Sequence, residues 1–181
     1  MDPTQVVRDD DGVMRCRDCG FRYELDPAAI GQQTATGLEA AVAALAGVPD
    51  SIRALRPAPR VWSVNAYASH LADAAGVIHQ RVVAIAEQER PYLPYHDQDE
   101  AVATGDADLA PASESTERLR RNVEAFQTYT AAIPPSAWDR VGVHQRAGEV
   151  RLRDIAQDMP HELHHHARDI RTVGDQIQQI A

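Results

Sequence analysis

Val64, Ala68, Leu71, Ala75, Ile78, Val82 and Ile85 return every three or four positions within VWSVNAYASHLADAAGVIHQRVVAIAEQE. That period draws one apolar stripe along a helix. Ser63 stands just ahead of it with the oxygen an N-cap requires. A helix striped in this way needs other elements to cover its apolar face, so the rest of the chain must supply them.

Three further segments carry the same signature. The stretch from Gly31 to Ala58 sets Leu38, Val42 and Leu45 at helical spacing, and Gly47 with Pro49 predicts a break near Val48 before Ile52 and Leu55. A third helix is predicted from Ser113 to Ile133, with Leu119, Val123 and Phe126 inward, ending at Pro134 and Pro135. A fourth is predicted from Leu152 to Ile177 through Ile155, Met159, Ile170 and Val173, kinked at Pro160. Between the second and third lies PYLPYHDQDEAVATGDADLAPA, whose prolines, aspartates and small residues are loop chemistry with room for one short helix. A connection this long points to a lid or binding loop. SAWDRVGVHQRAGEV reads as irregular. Strand signals are nearly absent, so the expected class is all-α. The predicted organisation is a four-helix bundle over 31–181, preceded by a segment, 1–30, that holds a small CxxC turn or knuckle, the whole forming a single domain.

Charge narrows the functions. The 181 residues carry a formal charge of -9, which argues against binding nucleic acid or an anionic membrane, since both require a basic surface. The start, MDPTQVVRDDDG, lacks the basic-then-apolar order of a signal peptide, and the expected location is the cytoplasm. All basic side chains are arginine, a composition typical of a GC-rich genome.

The chemistry concentrates in PHELHHHARDI. His161 and His165 are four residues apart and share a helix face beside the apolar stripe, a geometry that suits two ligands of one metal. His164 could substitute less regularly, and His166 points well away from His161. His70 borders the stripe of the second helix beside Tyr67, Ala74 and Val77. HELHH also satisfies the H-E-x-x-H pattern in which a glutamate, here Glu162, activates water. Arg168 and Arg171 occupy the positions where a metzincin has glycine and histidine, so the protease reading lacks its third ligand. Cys16 and Cys19, followed by Gly20, have the spacing of half a tetrahedral zinc site, and a terminal turn with two incidental thiols is the competing reading. His96, Asp97 and Glu100 could reach a site from the long loop, while His79 and His144 read as structural.

Taken together, the helices, VWSVNAYASHLAD, ERPYLPYHDQDE, WDRVGVHQRAGEV and HELHHHARDI resemble the DinB-like superfamily, whose relatives include mycothiol-dependent maleylpyruvate isomerases and bacillithiol transferases. The resemblance runs from about Gly31 to Gly174, and the C-x-x-C segment lies outside it. In that family a histidine of the second helix and an H-x-x-x-H or E-x-x-x-H pair of the fourth bind a divalent metal. Carried over, this implies His70, His161 and His165 as ligands, with His166 and Asp169 as outer partners. Zinc is the expected metal, with nickel or iron as alternatives. The resemblance also implies thiol transfer or thiol-assisted isomerisation of a small molecule, with mycothiol as a co-substrate, and a homodimer; Glu162, beside His161 in sequence, is the nearest candidate acid or base, with an outer or surface role as the alternative. The alternatives are a metal-dependent hydrolase and a non-catalytic metal-binding stress or structural module.

Overall fold

The computed structural model describes residues 6–103 and 105–180. Residues 1–5 of the N-terminal segment, residue 104 of the long loop and residue 181 lie outside the described residues. The chain opens with a hairpin of β1 (Val6–Arg8) and β2 (Met14–Cys16), then enters α1 (Pro27–Ala46). Asp26 caps α1 by accepting from the Ala28 amide, and Pro27 begins the helix where a missing N–H costs nothing. The break near Val48 falls where predicted, and a single 3₁₀ turn follows at Asp50–Ile52. Helix α2 (Val64–Glu87) starts on Ser63, whose hydroxyl accepts from the Ala66 amide, and all seven residues of the predicted stripe are buried.

The connection from 88 to 111 contains β3 (Tyr92–Leu93) and two short helices, α3 (Gln98–Ala103) and α4 (Asp106–Leu109). It is tied down over the start of α2. Arg56 pairs with Asp108 at 2.8 Å, Asn65 donates to the Asp108 carbonyl, and Val102 and Ala107 pack with Ala66 and Trp62 in a small separate core. Helix α5 (Ala112–Ala131) then leads to β4 (Val141–His144) and β5 (Gly148–Arg151).

The last helical stretch is two helices, α6 (Leu152–Ala156) and α7 (Asp158–Ile180). The interruption at Gln157 has its cause in Pro160, whose ring clashes with the carbonyl of Ala156 four residues back. Gln157 uses the break: its side chain accepts from the Leu25 amide and donates to the Arg153 carbonyl.

The four long helices form the bundle, with α1 packed most extensively on α7 and α2 on α5. Its core includes Ile30, Leu71, Ile85, Leu119, Phe126 and Ile170. Two glycines let α7 approach closely. A Cβ at Gly37 would stand 2.9 Å from that of Leu163, and one at Gly174 would stand 2.5 Å from Val48. The chain is mostly helical, as expected, and short strands add two small sheets to the bundle. β3 pairs parallel to β4, and β4 antiparallel to β5, in a small sheet against the end of α2. Strands of two to four residues carry too little alternation to register as a pattern. Among the described residues no helix is long and apolar enough to cross a membrane.

Candidate metal centre

Helix α7 carries potential metal ligands on two adjoining faces. Positions 161 and 165 share one face and positions 162 and 166 share another, about 100° around the axis. The first face meets the N-terminal hairpin and the second meets α2.

On the α2 side, three donor atoms converge. His70 Nε2 lies 3.1 Å from His166 Nε2 and 3.3 Å from Glu162 Oε2, and the His166 nitrogen is 3.2 Å from the same carboxylate oxygen. Ligands at about 2.1 Å from one ion stand roughly 3.4 Å apart in a tetrahedron and roughly 3.0 Å apart in an octahedron. The observed triangle fits a shared cation. The donor set, two histidines and one carboxylate, is that of several catalytic zinc and iron centres. His166 Nδ1 donates to Asp169 Oδ2 at 2.9 Å, which leaves Nε2 free to present its lone pair.

Within the triangle burial disfavours the charged His166, yet Asp169 and Glu162 raise its value, so an ion has a proton to displace there. Burial pushes the His70 imidazole below its ordinary value, which favours the neutral, ligating form. Burial alone would raise the Glu162 carboxyl, but hydrogen bonds from His166 and His70 hold it well below the usual carboxylate range. Trp62 and Tyr67 form an aromatic wall beside the cluster, with Trp62 at 5.1 Å from the His70 ring and Tyr67 at 5.4 Å from that of His166. The Glu162 side chain keeps 17% of its surface exposed, against 3% for that of His70.

On the other face, His161 and His165 join Cys16 and Cys19, one ligand atom from each lying within 4.8 Å of the others. Cys16 Sγ is 3.5 Å from His165 Nδ1. The remaining nitrogens are held from behind. His161 Nδ1 is 2.9 Å from the Tyr23 hydroxyl, which donates to Asp158, and His165 Nε2 is 3.3 Å from Asp169 Oδ2. Burial disfavours the charged His161, yet Cys19 and Glu162 bring its value up to about 9. Asp169 and Cys19 raise His165 to about 11. Burial raises the Cys19 thiol, but His161 and His165 outweigh it and bring it down to about 5.

The sequence expectation set His70, His161 and His165 around one ion. Among the described residues that trio does not converge, because the face bearing His161 and His165 turns to the hairpin while α2 meets the face one residue on. His70 stands instead with Glu162 and His166, the E-x-x-x-H alternative of the resemblance. His166, expected as an outer partner, stands inside this triangle, and Asp169 lies behind both His166 and His165. His164 is exposed, and Asp97 caps α3 by accepting from the Glu100 amide. The convergent clusters among the described residues contain neither His96, Asp97 nor Glu100. His79 packs edge-on against Tyr129, and His144 is buried, accepting from the Arg146 and Ala147 amides. Tyr23, Trp62 and Tyr67 were not singled out from sequence as site residues, since an aromatic before or within a helix reads as core.

Comparison with known proteins adds the wider context. The sequence profile of the DinB superfamily matches residues 33–170. The fold is similar to that of YfiT from Bacillus subtilis, described as a probable metal-dependent hydrolase with an unusual four-helix bundle topology. That match has a TM-score of 0.73 at 15% identity and covers 87% of this chain and 90% of that one. It is also similar to the mycothiol-dependent maleylpyruvate isomerase, with a TM-score of 0.66 at 14% identity, covering 81% of this chain but 61% of the isomerase. A comparison with curated proteins finds no match.

Proposed function

The chain belongs to the DinB superfamily, and on that premise we propose that it is a metal-dependent enzyme whose ion is held by His70, Glu162 and His166. The reading further assigns it thiol chemistry: transfer or isomerisation of a small molecule in the cytoplasm with a low-molecular-weight thiol of the mycothiol type. The observation that carries the metal assignment is the triangle of donor atoms 3.1–3.3 Å on a side.

A divalent ion there supplies a positive charge that favours the deprotonated form of a thiol or water brought beside it. Three protein donors leave coordination positions for such a molecule, as in catalytic and unlike structural zinc. The protein's own groups do the rest. Asp169 orients the His166 ring, burial favours the neutral form of His70, and the Glu162 carboxylate offsets part of the ion's charge. Trp62 and Tyr67 exclude water on one side and offer flat apolar surface to an organic substrate. The loop carrying α3 and α4, anchored on Trp62 through Val102 and Ala107, stands where it can shape the substrate's entry. The structural likeness to a mycothiol-dependent isomerase supports the thiol over water. The likeness to YfiT keeps hydrolysis as the second reading.

Metal content and turnover test this directly. In protein purified without a histidine tag, His70→Ala and Glu162→Gln should each remove one equivalent of metal relative to wild type. Each should also lower turnover of thiol-dependent substrates at least about 100-fold. Full metal retention in His70→Ala overturns the ligand assignment, and turnover of esters or amides without any added thiol replaces the transferase reading with the hydrolase one.

A further inference from the structure

The Cys16, Cys19, His161 and His165 cluster takes no part in the function proposed above, yet its geometry is built. We propose that these four side chains bind a second ion, a structural zinc, that fastens the N-terminal hairpin to α7.

The donor set comes first. Two thiols and two imidazoles within 4.8 Å of one another are a complete tetrahedral complement for zinc, with no position left for substrate. At ordinary zinc bond lengths a sulfur and a nitrogen ligand stand roughly 3.6 Å apart. Cys16 Sγ and His165 Nδ1 are 3.5 Å apart. Two thiolates would balance the charge of the ion, so the buried site closes near neutrality.

The local backbone is shaped for the same purpose. After β2 the chain turns so that the Gly20 amide donates to the Cys16 carbonyl at 3.1 Å and the Cys16 amide to the Phe21 carbonyl at 2.9 Å. Gly20 takes φ +79, a left-handed conformation that glycine adopts without strain. The Phe21 amide hydrogen-bonds the Cys19 sulfur. Such a turn presents both sulfurs in one direction.

The histidines are prepared from behind. Tyr23 engages His161 Nδ1, which leaves Nε2 as its donor, and among the described residues that buried nitrogen has no hydrogen-bond partner. Asp169 engages His165 Nε2, which leaves Nδ1 facing Cys16. Outer partners of this kind fix the tautomer of a ligating imidazole. A two-stranded ribbon such as β1 with β2 is marginal alone in water, and the ion supplies the anchorage.

Cobalt substitution of the full chain is the deciding experiment, because a cobalt–thiolate bond absorbs in the near ultraviolet and a tetrahedral site gives intense visible bands. The expected result is two metal equivalents in wild type with a thiolate band. Cys16→Ser with Cys19→Ser should lose that band and one equivalent, while His70→Ala should keep the band and lose the other equivalent. A wild-type spectrum without a thiolate band overturns the proposal even if the cysteine variant fails to fold. Two equivalents retained in a folded cysteine variant also overturn it. Failure of the His70 centre leaves the band intact, so the two assignments fail separately.

Discussion

Asp169 touches two histidines that face different clusters. Its Oδ2 is 2.9 Å from His166 Nδ1 and 3.3 Å from His165 Nε2, and those two hydrogen bonds hold its carboxyl far below the ordinary range although burial pushes it upward. Replacing it with asparagine removes the negative charge from the one oxygen that both imidazoles share. The expected outcome for Asp169→Asn is a 10–100-fold loss of affinity at the His70 centre, measured by competition with a chelator. A smaller loss should appear at the cysteine centre, where three of the four ligands keep their own support. An unchanged affinity at both would show that neither imidazole depends on this carboxylate.

At the scale of elements, α7 supplies every histidine of both clusters except His70, and α1 is the helix it packs on most extensively. Gly37 permits that approach. Gly37→Ala places a methyl group 2.9 Å from the Leu163 Cβ, which is main-chain-fixed and cannot swing aside. The variant should lose about 1–3 kcal/mol of stability in urea unfolding and bind metal more weakly at both clusters. A variant as stable as wild type would mean that α1 retreats without cost. The four long helices were legible in the sequence because each buries one stripe: the seven predicted residues of α2, and Leu119, Val123 and Phe126 of α5, are all inside. The choice of ligand face on α7 was not. His161 with His165 and Glu162 with His166 are both four residues apart, and only the rotation of α7 against α2 separates them. β3 escaped for another reason. Tyr92 and Leu93 pair with Val143 and His144 across some fifty residues, a partnership no local pattern records.

For the whole molecule, the described N-terminal segment also touches the bundle outside the cysteine cluster, with Leu25 packed on the core and the Phe21 and Tyr23 rings against His161. Leu25 donates to Gln157, Tyr23 to Asp158, and Arg168 to the Asp18 carbonyl. Removing metal with a chelator should act unevenly. The hairpin should become the first site of cleavage in limited proteolysis, the exposed arginines at 8 and 17 marking the cuts, while the helical circular dichroism changes little. Loss of the helical signal together with the hairpin would show that the ions hold the bundle itself. Cys16 and His165 meet across 149 positions of chain. At ribosomal speeds of about 5–20 residues per second, the thiols emerge roughly 7–30 s before their imidazole partners exist. During that interval they are open to oxidation and to stray metal, so a newly made chain depends on its surroundings to deliver those sulfurs unspoiled to the helix that completes their site.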